Sequence, residues 1–153
     1  MLFELSNRTV IQSPENSHCE KNWTPICNNN VNTTDNKRTR IIYKWQPLTI
    51  GYIDDGLFVS ERIFTTSMPD FGTLRGSSPF IDMGNIYLGV IHFSIKSNVS
   101  SYYHIMVSLD KITLEPKCFS SPFYFEKEGI EFCLGFSADM GTYIFWISRN
   151  DRD

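Results

Sequence analysis

A chain of 153 residues with 41% apolar and 14% aromatic side chains has the material for one packed core, which excludes disorder over most of its length. A formal charge of -3 leaves no basic stripe, which argues against nucleic acid or an anionic membrane as partner. No stretch approaches the roughly 18 apolar residues of a membrane span, and Glu4, Asn7 and Arg8 stand where a signal sequence would be apolar, so a soluble, cytoplasmic chain is expected.

In chain order, the apolar residues form short runs rich in β-branched and aromatic side chains, with no sustained helical period. Strands are predicted at Arg40 to Trp45, Leu48 to Ile53, Leu57 to Ile63, Ser78 to Asp82, Ile86 to Phe93, Tyr102 to Leu109, Pro122 to Phe125, Ile130 to Phe136 and Thr142 to Ser148. Tight turns are expected at Asp54-Asp55-Gly56, Asp82-Met83-Gly84-Asn85 and Ala138-Asp139-Met140-Gly141, because Asp, Asn and Gly accept the left-handed backbone that two-residue hairpin loops need. The polar stretch from Asn28 to Arg40 reads as a loop, and Phe64 to Leu74 as a crossover.

The runs fall into a repeat. Openings near residues 20–26, 75–81 and 130–136 each place a polar or charged tip before an apolar strand, and Pro25 and Pro79 hold the same place in their copies. A recurrence of about 50 residues is the blade period of a β-propeller. A β-sandwich of unrelated hairpins is the competing architecture. The predicted fold class is all-β, a single partial β-propeller domain over residues 1–153 with about two and a half to three blades of four-stranded antiparallel sheet.

Cys19, Cys27, Cys118 and Cys133 lack a C-x-x-C pair, so free thiols are expected, with a Cys19–Cys27 disulfide as the alternative and zinc disfavoured. The sequons at Asn7, Asn22, Asn32 and Asn98 are expected in any chain this rich in Asn and Thr. No nucleophile elbow, Gly-rich phosphate loop or metal-binding His/Cys cluster occurs, so no metal and no cofactor are expected.

Two stretches carry a family resemblance. Cys19-Glu20-Lys21-Asn22-Trp23-Thr24-Pro25 resembles the blade opening of five-bladed propellers related to mannoside phosphorylases and hydrolases. The series Arg75-Gly76-Ser77-Ser78-Pro79, Tyr87 to His92, Tyr102-Tyr103-His104, Leu109-Asp110, Leu114-Glu115-Pro116, Ile130-Glu131-Phe132 and Asn150-Asp151 is similar to the following blades, including versions found beside glycosyltransferase domains. The resemblance implies a central channel with a glycan or sugar phosphate held at one mouth. Any enzyme of this kind would be a metal-independent glycoside hydrolase, a phosphorylase or a glycosyltransferase-associated domain. Inverting displacement needs a carboxylic acid as proton donor, and phosphorolysis needs cations for the phosphate. Five blades exceed this chain, so it is expected either to be a truncated or split gene product or to have its ring completed by another chain or by self-association.

Glu20, Lys21, Asn22 and Trp23 combine opposite charges, an amide and an aromatic at one strand tip, a mixture suited to sugar hydroxyls and a pyranose face. The alternative is a solvated turn with Trp23 in the core. Alternation sends Asn22 and Trp23 to opposite faces. Arg75, before the flexible Gly76-Ser77-Ser78 tip, is a candidate for an anion or sugar oxygen, and Ser77 belongs to the same tip. His92 and His104 each follow apolar or aromatic residues on a strand and serve either substrate or structure. Glu131, between Ile130 and Phe132, is the candidate acid, since apolar neighbours raise a carboxyl's proton affinity, with an arginine partner as the alternative. Asp151 is the second candidate carboxylate.

Overall fold

The computed structural model describes residues 10–15, 20–27, 38–65, 68–96 and 100–150. Cys19, Asp151, the sequons at Asn7, Asn32 and Asn98, and most of the polar Asn28 to Arg40 stretch lie outside them. Every regular element among the described residues is a β-strand. None is a helix long and apolar enough to cross a membrane.

The first sheet is an antiparallel meander of β1 (Thr24–Ile26), β2 (Arg40–Trp45), β3 (Leu48–Asp54) and β4 (Leu57–Phe64), in that spatial order. Its last hairpin closes on Asp55 and Gly56, both at positive φ (46° and 77°), the conformation a two-residue primed turn requires. The second sheet runs β5 (Arg75–Gly76), β7 (Ile86–Lys96), β8 (Ser100–Asp110), β9 (Pro116–Phe119). β6 (Ile81–Asp82) pairs with β7 further along the same edge as β5. A final hairpin, β10 (Glu131–Asp139) and β11 (Thr142–Arg149), turns on Met140 and Gly141, again both at positive φ.

The sheets stack in chain order. On β7 and β8, Tyr87, Ile91, Phe93, Ile105, Val107 and Leu109 share one core with Ile26, Ile42, Trp45, Leu48 and Ile50 of the first sheet. The alternate residues face the other way: Val90, Leu88 and Met106 pack on Cys133, Phe136 and Phe145 of the final hairpin. A period of two thus makes β7 and β8 a middle layer with both faces covered. Trp45 and Phe80, with ring centroids 5.8 Å apart, bridge the first two sheets.

Two departures from the expected strands have local causes. The strand expected at Ser78 to Asp82 is broken. Ser78 Oγ accepts the Val90 N–H at 2.8 Å, and Phe80 leaves β7 to meet β1, its N–H donating to the Pro25 carbonyl at 2.9 Å while its own carbonyl accepts from Cys27 at 2.8 Å. The opening segments of the two copies therefore run parallel through an Ile26–Phe80 bridge. The fourth strand of the second sheet is Pro116–Phe119, and the expected Pro122 to Phe125 strand contributes one bridge, Phe123 to His104. The Asp110 carboxylate accepts the N–H groups of Ile112 and Thr113, which turns the chain back early and lets pairing begin at Pro116.

Gly76 sets how closely the copies approach. A Cβ there would lie 1.8 Å from Thr24 Oγ1 and 2.6 Å from the Asn22 carbonyl. Gly76→Ala is expected to lower stability by about 1–3 kcal/mol, read as a fall in Tm. Gly135→Ala, whose Cβ would meet only Trp146 at 3.9 Å, is expected to change it by less than about 0.5 kcal/mol.

Candidate functional site

The approach at Gly76 brings two strand tips together. Glu20-Lys21-Asn22 leads into β1, with Asn22 in the left-handed region (φ 63°), a conformation asparagine tolerates better than most residues. Thr73 to Gly76 leads into β5. Between them lies an open cleft of about 250 Å³, lined by Glu20, Lys21 and Asn22 on one side, Arg75 and Gly76 on the other, and Tyr43 and Lys44 of β2. Consecutive residues of one strand line the same cleft because the β2–β3 register slips between Ile42 and Lys44, and such a bulge re-aims side chains.

The carboxylates at the cleft are occupied. Glu20 accepts Ser13 Oγ at 2.5 Å, the Trp23 indole N–H at 3.0 Å and the Tyr43 hydroxyl at 3.2 Å. Burial pulls the Glu20 carboxyl upward, but these hydrogen bonds and nearby Lys44 outweigh it and hold the group below its ordinary range. The Tyr43 phenol is pushed up to about 12, first by burial and then by the charges of Glu20 and Glu15. Lys44 is ion-paired to Glu15. Lys21 and Arg75 are exposed, and among the described residues neither has an ion-pair partner.

Trp23 does not line this cleft. Its ring meets Tyr43 and Phe58 edge-on, with centroids at 5.3 Å and 5.7 Å, and it borders a neighbouring depression.

Arg75 stands opposite His92 in the β5–β7 pair, and the charges of Arg75 and Lys21 both act on that imidazole. Ser77 Oγ and His92 Nδ1 are 2.7 Å apart, so Ser77 fixes the ring just behind the cleft. His92 is only 3% exposed, stacked on Tyr102 and edge-on to Phe132. Its pKa falls to about 4, chiefly through burial and then through the charge of His104.

His104 and Glu131 lie beneath the final hairpin, where His104 is the cross-strand neighbour of His92, ring centroids 6.5 Å apart. His104 is fully buried between Phe123 and Phe125, and neither ring nitrogen has a hydrogen-bond partner among the described residues. Burial lowers its pKa to about 4 against the opposing charge of Glu131. Glu131 is 2% exposed, and its carboxylate accepts three backbone N–H groups, from Phe125 at 2.7 Å, Glu126 at 3.1 Å and Lys127 at 3.2 Å. It staples the loop before β10 and is not among the residues that line the cleft. No arginine pairs with it among the described residues, and Arg149 binds Glu126 instead.

Cys27 and Cys118 are exposed free thiols, and Cys133 is a buried one whose pKa burial pushes up to about 11. No group of three His, Cys, Asp or Glu among the described residues could hold a metal ion. Tyr43, Lys44 and Glu15 were not legible as site residues from the sequence. The bulge that turns Tyr43 and Lys44 inward has no sequence signal.

Two outcomes are expected. Glu131→Ala leaves three backbone N–H donors without their acceptor and removes a buried carboxylate, and is expected to lower stability by about 1–3 kcal/mol in denaturant titration, with Glu131→Gln costing less. His92 and His104 are neutral in the fold, with pKa values about 4 against an ordinary 6.5, so the unfolded chain takes up protons first as the pH falls. Their contribution is complete above pH 6.5 and is lost between 6.5 and 4, seen as a falling Tm over that window. His104→Phe, which sacrifices no hydrogen bond, is expected to flatten this slope and to hold or raise Tm at pH 7.

Compared with protein-family models, curated proteins and solved structures, the chain matches none.

Proposed function

We propose that the chain is a glycan-recognition module of partial β-propeller architecture that binds a glycan or sugar phosphate in the cleft between its first two blade openings. Support for the architecture comes from the four-stranded meander, the five-stranded antiparallel sheet and the hairpin that follow one another in chain order, each packed on the next, with the first two openings side by side.

The observation that carries the ligand reading is the pair Lys21 and Arg75. Two exposed cations without ion-pair partners among the described residues flank a polar cleft whose carboxylates are already engaged. Such a site attracts an anionic group, and Arg adds a planar fork that matches phosphate oxygens. Asn22, Tyr43 and Glu20 supply donors and acceptors for hydroxyls. A carboxyl held below its ordinary range, as Glu20 is, orients hydroxyls better than it delivers a proton. Recognition is therefore preferred to glycoside cleavage.

A second reading, assembly with another chain to complete the ring, is favoured by one observation. Leu134, Ile144 and Trp146 of the final hairpin are each more than half exposed, a concentration of large apolar groups that invites a partner. Light scattering tests it. A monomer at all concentrations that captures no partner removes it.

For the primary reading, calorimetric titration with a hexose phosphate, a neutral manno-oligosaccharide and inorganic phosphate is decisive. Saturable binding of the sugar phosphate is expected, weakened about tenfold or more by Arg75→Ala and by Lys21→Ala. Absence of binding to every saccharide by folded protein overturns the proposal.

A further inference from the structure

The cleft has a neighbour. A second depression of about 270 Å³ is lined by Ile11, Glu20, Lys21, Asn22 and Trp23, and it shares Glu20, Lys21 and Asn22 with the cleft. The two hollows are thus the two flanks of one ridge. Either alone falls short of the roughly 300 Å³ at which small-molecule sites begin, whereas joined across the ridge they reach the ordinary range.

The flanks differ in chemistry. The first carries Arg75, Tyr43 and the Lys44–Glu15 pair. The second adds only an aliphatic and an indole side chain to the shared residues. Ile11 is 43% exposed, a large apolar group offered to solvent beside an aromatic ring. The Trp23 indole is already immobilised, since its N–H donates to Glu20 and its ring is braced edge-on by Tyr43 and Phe58. With the N–H engaged, what the side chain offers a ligand is its apolar surface, at little entropic cost because it is pre-ordered. Apolar ring surface beside polar groups is what a neutral pyranose requires, with C–H groups on one face and hydroxyls around the rim.

Building on the reading of the cleft as a glycan site, we infer that its ligand is a saccharide of at least two units with a phosphate at one end. The phosphate-bearing sugar occupies the flank with Lys21 and Arg75, and the second, uncharged sugar crosses the ridge to pack on Trp23 and Ile11. Glu20 serves both flanks. It faces the hydroxyls of the first sugar and holds the indole that receives the second.

The test measures, on the intact chain, the affinity for a hexose phosphate and for the matching disaccharide phosphate. The second sugar is expected to tighten binding about tenfold. In Ile11→Ser and in Trp23→Ala the ratio of the two affinities is expected to fall to near one, with Trp23→Phe retaining part of the gain. Ile11→Ser alters an exposed side chain and keeps the test valid if Trp23→Ala fails to fold. Tight binding of the hexose phosphate with no gain from the second sugar overturns this inference and leaves the cleft intact. Failure of both ligands to bind overturns the cleft reading as well.

Discussion

The contact between Gly76 and the β1 tip is the constraint on which the rest of the structure depends. With hydrogen in place of a side chain, the β5 backbone can lie against Thr24 and Asn22, and the opening segments of successive sheets run side by side. Two further links hold the arrangement, the Phe80 N–H to the Pro25 carbonyl and the Cys27 N–H to the Phe80 carbonyl. Proline at position 25 loses a donor but keeps the acceptor this bond needs. From that alignment follow the cleft, the position of Arg75 across from Lys21, and the burial of His92 directly behind them.

Charge is divided along the same line. Lys21, Arg75 and Glu20 at the cleft are exposed, whereas His104 and Glu131 beneath the final hairpin are sealed from water. Glu131 and Glu20 illustrate the difference. Each carboxylate has three donors, but Glu20 takes them from side chains at a surface opening, and Glu131 takes them from the backbone of its own approach loop. The first arrangement presents a carboxylate to a ligand; the second spends one on loop conformation.

Much of the fold was legible in the sequence for identifiable reasons. Asp55-Gly56 marks a hairpin because both residues accept positive φ, Gly141 marks the last one although Met140 beside it shares that conformation, and the near-continuous apolar run of β7 fits a strand whose two faces meet different sheets. The breaks were not legible. Ser78 substitutes its hydroxyl for a backbone partner of Val90, twelve residues on, a contact that no local pattern encodes, and the local turn at Asp110 begins β9 earlier than the apolar run suggested. At the site, Glu20, Lys21, Asn22 and Arg75 do converge, since polar tips on repeated strands meet when the strands align. His104 and Glu131 do not line the cleft: with His92, the cross-strand partner of His104, they lie on the face of the middle sheet that meets the final hairpin, and a strand's two faces are indistinguishable in sequence until the neighbouring layers are known.

The middle position of β7 and β8 carries a consequence for the order in which the molecule comes apart. Each is eleven residues long, they pair along their whole length, and both faces are covered by other sheets. Either outer layer can detach and leave this ribbon largely paired, but the ribbon cannot melt without exposing both hydrophobic clusters at once. Amide protons of Val90, Ile91, Ile105 and Val107 therefore mark the last region to exchange with solvent, and the exposed Glu20 to Lys21 tip belongs to the part that opens first.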